Sequence, residues 1–541
     1  MIYLVGSLTA QDPTVGLLLN GDLSEEGYSL FCPNTSVYLI DNCGYLVNKW
    51  DSEFRPGLSV YLDNEGNIFR AGNKSGSINA AGGGGIIEKI SWDNELLWQY
   101  NYNTDNARQH HDIEVMPNGN ILLLAWEVKT RDEAIASGRD SLTIASTLYP
   151  EHIVEVKPIG QDQGEIVWEW HAWDHLIQDF DETKDNYGTV SEHPELIDVN
   201  FGSGFSELGG NQDWMHANAV AYNPRRDEIA ISVRNFSEIL IIDHSTTTEE
   251  AAGHSGGNRN KGGDILYRYG NPMTYQRGEI EDQVFFNQHS ISWIPDDYHD
   301  GGKMMVFNNG NTRPDGPYSS VDIFEPPIDI NENYVLDEEG SYGPESPEWS
   351  YNGDNLYSPI MSSAQAMPEG NILICEGASG KFLEINRSKE VVWRYQNPVA
   401  FSGPVTQGSN NSFTTVFRIE RYFDDFAGLT DKILEATEPI ELEPLDYSCQ
   451  IDGGTVASDD IYIPSDLVLR SNPIIEKLII DNNMNQSYYL KLVDLSGKSV
   501  FSSTIVQGEN QYLLDIPGGL YIAIAYDNAG RVVYSEKIIH L

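Results

Sequence analysis

The sequence is poor in cysteine and in positive charge, and it has no long apolar run. Only four of its 541 residues are cysteines, at 32, 43, 375 and 449, and none forms a Cys-x-x-Cys pair, so a structural zinc site of the finger type is excluded. In an oxidising compartment Cys32 and Cys43, which flank one strand and its turn, are the pair expected to join. Lysine and arginine total 33 against 82 acidic residues, a formal charge of −49 that repels phosphate backbones and anionic lipid. Nucleic-acid and basic membrane-surface partners are thereby argued against. No stretch is long enough to span a bilayer. The opening MIYLVGSLTAQ reads as the tail of a secretory signal.

What is present is a turn-rich, aromatic composition: 49 glycines, 11% aromatic residues and 40% hydrophobic residues. One pattern recurs six times, a short strand ending in Trp or Tyr: Gly44 to Trp50, Asn94 to Tyr100, Gly164 to Trp170, Gly263 to Tyr269, Pro347 to Tyr351 and Lys389 to Tyr395. Each copy precedes a second hairpin, beginning at Val60, His111, His216, His289 and Ser362, with a weaker sixth at Thr414. Six such repeats predict an all-β chain with a six-bladed β-propeller over residues 27–435. The strand near Val15 to Asn20 is placed to pair into the last blade. Insertions at Trp173 to Phe205, His244 to Gly263 and Asp329 to Glu345 are expected on one face, roofing a pocket.

Residues 1–26 form an N-terminal segment, residues 436–465 an acidic, proline-bearing linker, and residues 466–541 a small β-sandwich. Gly497-Lys498-Ser499 looks like the end of a P-loop, but Leu492 stands where its first glycine should be.

Three inner hairpins open with histidine at nearly one repeat position: His111, His216 and His289. In the hairpin from Asp213 to Asp243, strict alternation puts His216 and Asn218 on one face, and Arg234 ends the second strand at the level where the first begins. A neutral base, an amide and a fixed cation converging there suit an anionic, oxygen-rich substrate. Trp173, Tyr275, Phe285 and Tyr357 are candidates for an aromatic wall. His171, Asp174, His175 and Asp179 have mixed spacing and read as a packed blade edge, so no metal and no cofactor are expected.

Residues Gly27 to Tyr422 resemble the bacterial arylsulfotransferase (ASST) family in GYSLFCPNTSVYLID from Gly27, HHDIEVMPNGN from His110, DWMHANAV from Asp213, SVRN from Ser232 and NQHSISW from Asn287. The resemblance implies sulfuryl transfer from a phenolic sulfate ester to a phenol without phosphoadenosine phosphosulfate. It puts catalytic roles on His111, His216, His289, Arg234 and Asn218, with His289 as the residue sulfated. His110 adjoins His111 and is a candidate for substrate binding.

The C-terminal segment resembles the type A sorting domain of Bacteroidota proteins exported by the type IX secretion system, in Asn472-Pro473, Asp494 to Lys498, Pro517 to Tyr521 and Lys537 to Ile539. That resemblance implies a secreted or cell-surface protein with the type IX machinery as partner. Two other functions fit the same residues: a propeller hydrolase or lyase acting on an anionic polysaccharide, and a non-catalytic surface-binding propeller.

Overall fold

The computed structural model describes residues 13–202, 212–409, 414–445 and 449. Of the C-terminal part it describes 467–469, 477–482, 487–493, 499–514, 516, 519–526 and 532–540. The signal-like start and the motif residues Asn472-Pro473, Asp494 to Lys498 and Pro517-Gly518 lie outside these. The chain forms two compact units, Met1–Asp452 and Gly453–Leu541. Among the described residues it is nearly all β, with two short α-helices, Arg131–Ala136 and Thr248–Ala251. Among the described residues no helix is long and apolar enough to cross a membrane.

Among the described residues of the larger unit six antiparallel sheets of four or five strands follow one another along the chain, besides three two-stranded ones. The third runs Ala107–Val115, Ile121–Glu127, Glu151–Ile159, Gln163–His171, and the fourth Ala217–Asn223, Glu228–Val233, Glu238–Asp243, Tyr267–Tyr269. The fifth runs His289–Trp293, Met304–Asn308, Ser320–Phe324, Trp349–Tyr351. The first strands of successive sheets touch, from Arg55–Leu62 round to Ser363–Ala366. The cycle then returns through Ile419–Tyr422 and Tyr28–Phe31 to Arg55–Leu62.

The recurring tryptophans explain the repeat. Each lies on an outermost strand, buries its indole against the next sheet and donates its N–H to a backbone carbonyl there: Trp50 to Ser91 (2.8 Å), Trp98 to Gln163 (2.8 Å), Trp170 to Gly263 (2.7 Å). Tyr267 does the same through its hydroxyl to Gly343 at 2.7 Å, and Trp393 of the last sheet donates to Asn42 of the first at 2.8 Å. The sequence repeat is therefore a repeated sheet-to-sheet joint that closes on itself.

Two strands are borrowed at closure. Gly16–Asn20 pairs with Val391–Gln396 on the outer edge of the last sheet, as its sequence position suggested. Ile419–Tyr422, from the weak sixth copy, opens no hairpin of its own; it becomes the inner strand of the first sheet against Tyr28–Phe31.

Three expectations are corrected. Cys43 is joined to Cys449, 406 residues away, while Cys32 is a buried free thiol within 3.9 Å of the Arg70 guanidinium. Two of the insertions do not roof the histidines. Arg226, Arg259 and Tyr334 gather on Glu228, so the loops at 244–263 and 329–345 pack at the turn end of the fourth sheet, away from His216. Residues expected at the start of the linker also pack: Thr437 and Glu438 hydrogen-bond across Leu46, and Ile440 is buried with Phe382 and Tyr395.

The smaller unit has a three-stranded sheet (Leu467–Leu469, Lys477–Asn482, Gly508–Leu513) and a four-stranded one (Tyr488–Val493, Ser499–Ile505, Gly519–Tyr526, Val532–His540). Leu478 and Ile480 of the first share a hydrophobic cluster with Leu490, Leu492 and Ala523 of the second, giving both sheets one core.

Candidate active site

Near their starts the inner strands of the third, fourth and fifth sheets depart from regular β geometry. The ladder slips between Leu123 and Ala125, between Ala217 and Ala219, and between His289 and Ser292. His111, His216 and Ser290 adopt left-handed backbone, with φ of 50°, 52° and 58°. Such bulges re-aim side chains at a sheet rim, and a non-glycine residue there carries strain that the surrounding packing must hold. The bulge also breaks the alternation expected to place His216 and Asn218 on one face.

These departures bring the three histidines together. The His111 and His216 rings lie 4.7 Å apart at their centroids, and Phe417 packs against His111 at 6.2 Å and His289 at 6.5 Å. Arg234 joins them because its backbone N–H donates to the His216 carbonyl at 3.2 Å. All four are buried.

Each ring is held by a partner that fixes its protons. His289 Nδ1 lies 2.7 Å from Asn309 Oδ1, and Asn309 Nδ2 donates to the carbonyls of Ser358 (2.7 Å) and Met361 (3.1 Å). Those two bonds leave Asn309 Oδ1 as acceptor, so His289 carries its proton on Nδ1 and presents a lone pair at Nε2. His216 Nδ1 faces the Asp213 carboxylate, whose other oxygen accepts from Trp126 Nε1 at 3.0 Å. His111 Nδ1 meets His110 Nδ1 at 2.8 Å, and His110 Nε2 meets Glu151 at 2.9 Å. The other Glu151 oxygen accepts from the Ala217 N–H at 2.7 Å, tying the chain of groups to the strand beside His216.

Electrostatics favour neutral rings. Burial, helped by Arg234, pushes His289 down to about 3, and burial alone does most of the same for His110, also about 3. Burial and then His216 push His111 well below the usual imidazole range. Burial, reinforced by the charge on Asp213, lifts Glu151 well above the ordinary carboxyl range, so it holds a proton.

Glycine is needed at one wall. A Cβ on Gly82 would stand 2.0 Å from His111 Cε1, and Gly82 has φ +84° while its carbonyl accepts from the His111 N–H at 2.8 Å.

Not every residue singled out in the sequence reaches this cluster. His110 is fully buried, stacked on Trp126 at 3.9 Å, so it supports His111 and offers no surface to a substrate. Asn218 is also fully buried; its Nδ2 donates to the Gln288 carbonyl at 2.8 Å, bracing the residue before His289. Trp173 lies under Lys129, Tyr275 under Arg268, and Phe285 against Tyr269; Tyr357 is half-exposed and precedes Ser358. No hydrogen bond, ion pair or ring contact joins Trp173, Tyr275 or Tyr357 to the three histidines.

Asp213, Glu151, Asn309, Gly82 and Phe417 were not identified as functional in the sequence. Asn309 had a usable signal, since it follows the second strand of its sheet as Arg234 does in the fourth.

The family model for arylsulfotransferase (ASST) matches residues 89–412, a span that holds all the histidines above together with Arg234 and Asn309. The chain is 26% identical over 204 residues to the arylsulfate sulfotransferase AssT of Lelliottia amnigena, covering 35% of this chain and 32% of that protein. It is 25% identical over 308 residues to AssT of Escherichia coli O6:H1 (strain CFT073), covering 51% of this chain and 46% of that protein. It thus aligns with less than half the length of either relative. A solved protein of unknown function from Bacteroides caccae covers 73% of this chain and 98% of its own, at 11% identity and a TM-score of 0.39. With more than half of its length matched by the family model, the chain belongs to the arylsulfotransferase (ASST) family.

Proposed function

We propose that the larger unit is a six-bladed β-propeller that transfers a sulfuryl group from a phenolic sulfate ester to a phenol through a sulfohistidine at His289. The observation that carries the proposal is the fixed tautomer of His289, a neutral buried imidazole with its lone pair at Nε2 beside Arg234. His289 Nε2 attacks sulfur, the N–S bond forms and the S–O bond to the aryl group breaks. Arg234 and the neighbouring histidines meet the charge on the sulfuryl oxygens.

The departing phenolate takes a proton from His111. With Glu151 protonated, the chain runs Glu151 to His110 Nε2, His110 Nδ1 to His111 Nδ1, leaving an N–H on His111 Nε2. Donating that proton moves each proton in the chain one place and leaves Glu151 ionised. In the second half-reaction the acceptor phenol attacks sulfur, the new S–O bond forms as the N–S bond breaks and returns the lone pair to His289 Nε2, and the phenol proton passes to His111 Nε2 and resets the chain. His216, oriented at Nδ1 by Asp213, is a further polar partner for the sulfuryl group.

We infer that the smaller unit is the export address for type IX secretion, which makes the protein secreted or surface-held. The test of the catalytic reading is intact-mass analysis after mixing with a chromogenic phenyl sulfate. A sulfuryl adduct on the peptide containing His289, discharged by a second phenol, is expected. Continued release of phenol beyond one equivalent without acceptor, or full activity in His289→Ala, overturns it.

A further inference from the structure

On the outer half of the third sheet a second histidine cluster stands apart from the one above. His152 and His171 face each other as register partners on adjacent antiparallel strands, and Glu169 sits two residues before His171. The two rings are stacked 4.0 Å apart. One carboxylate oxygen, Glu169 Oε2, lies 3.3 Å from His152 Nε2 and 3.8 Å from His171 Nε2, and all three ligand atoms fall within 4.8 Å of one another. In a tetrahedral zinc site with bonds of about 2.0–2.1 Å, adjacent ligand atoms stand roughly 3.3 Å apart. Two of the three edges are within half an ångström of that.

The surroundings are those of a ligand set as well. The far nitrogen of each ring is held by its own partner: His152 Nδ1 by the Tyr102 hydroxyl at 3.3 Å, and His171 Nδ1 by Glu127 at 3.4 Å. Glu127 is itself anchored by Lys129 at 2.8 Å. Partners on both Nδ1 atoms leave both Nε2 atoms on the side of Glu169 Oε2, and the stacked rings, 18° from parallel, close on one ion by tilting toward it. His152 is buried, while His171 and Glu169 are partly exposed, leaving a side open for entry and for a water ligand.

We propose that His152, Glu169 and His171 bind a divalent cation of borderline softness, zinc foremost, as a His2Glu site with a fourth position for water. The cation lies on the opposite face of the strand from Glu151, whose neighbour is His152, so it clamps the strand that carries the buried proton chain. Its role is to hold Glu151–Ile159 to Gln163–His171 and not to enter the sulfuryl chemistry.

The experiment is isothermal titration of the full, chelator-treated protein with zinc sulfate, repeated with cobalt and read by visible absorption. One equivalent is expected, with the intense visible bands of a four-coordinate cobalt ion and a rise in melting temperature. His171→Gln and Glu169→Gln, both at partly exposed positions, abolish it. Tyr102→Phe weakens it by about tenfold, a loss that a simple charge trap on Glu169 would not show. His289→Ala leaves it unchanged, which separates this site from the histidines of the proposed transferase. No uptake by the wild type, uptake unaltered in His171→Gln and Glu169→Gln, or uptake lost in His289→Ala overturns the proposal.

Discussion

Replacing Asn309 by leucine removes the acceptor that keeps the His289 proton on Nδ1 while filling a similar volume. A net hydrogen bond is worth about 0.5–1.5 kcal/mol, and a buried N–H left without a partner costs about 1–3 kcal/mol. The reactive tautomer is disfavoured by that amount, which at about 1.4 kcal/mol per factor of ten is roughly a 10- to 100-fold slower first half-reaction. Rapid mixing with a chromogenic phenyl sulfate, without acceptor, reads that step as a burst of phenol. The pH dependence supplies a second reading. Because the His289 value lies near 3, below the ordinary imidazole, the neutral ring persists as pH falls and the burst rate holds between pH 7 and 5. An imidazole at about 6.5 would lose about 25-fold over that interval. Asn309→Asp keeps an acceptor but places a negative charge against Nδ1–H, which favours imidazolium, raises the value and moves the acid limb to higher pH. A wild-type burst in Asn309→Leu, or a steep loss below pH 6.5 in the parent, refutes the tautomer reasoning.

Gly82→Ala drives a methyl group into the His111 ring; turnover falls by about 10²-fold, with a melting temperature only modestly lowered, measured by steady-state assay and calorimetry. Glu151→Gln, with its carbonyl toward Ala217 N–H and its amide toward His110, leaves no acid at the end of the chain, so His111 keeps its Nε2 proton; with a chromogenic donor, whose phenolate leaves unprotonated, sulfated enzyme still forms but discharges to phenol about 10²- to 10⁴-fold more slowly and accumulates in intact-mass spectra. Cys43→Ser opens the bridge to Cys449 and costs about 2–4 kcal/mol in denaturant unfolding, whereas Cys32→Ala leaves non-reducing mobility unchanged.

The repeat was legible because a tryptophan or tyrosine on an outermost strand has the same job in five of the six large sheets, and repeated use of one joint leaves repeated copies in the chain. The histidines were legible for the same reason, as one repeat position used three times. The partners were not. Glu151 reaches His110 across one sheet and Asn309 reaches His289 from the end of the next strand, so their roles depend on register and bulges that local alternation does not encode. The bulge that ruins the alternation of His216 and Asn218 is what gathers the site. The Cys43–Cys449 bridge was hidden because proximity in sequence favours Cys32 as the partner of Cys43, while closure brings the two ends of the unit together.

That closure sets an order of events during synthesis. Tyr28–Phe31 leaves the ribosome early, yet its inner neighbour Ile419–Tyr422 emerges only after all the other sheets of the unit. Until then the first sheet has an open inner edge, and Phe417, which packs on His111 and His289, has not yet been made. A nascent chain therefore carries its histidines for most of its elongation without a finished site, exposed to pairing with other unfinished chains. Competence arrives in one late step, when the last strand docks and Cys449 comes within reach of Cys43.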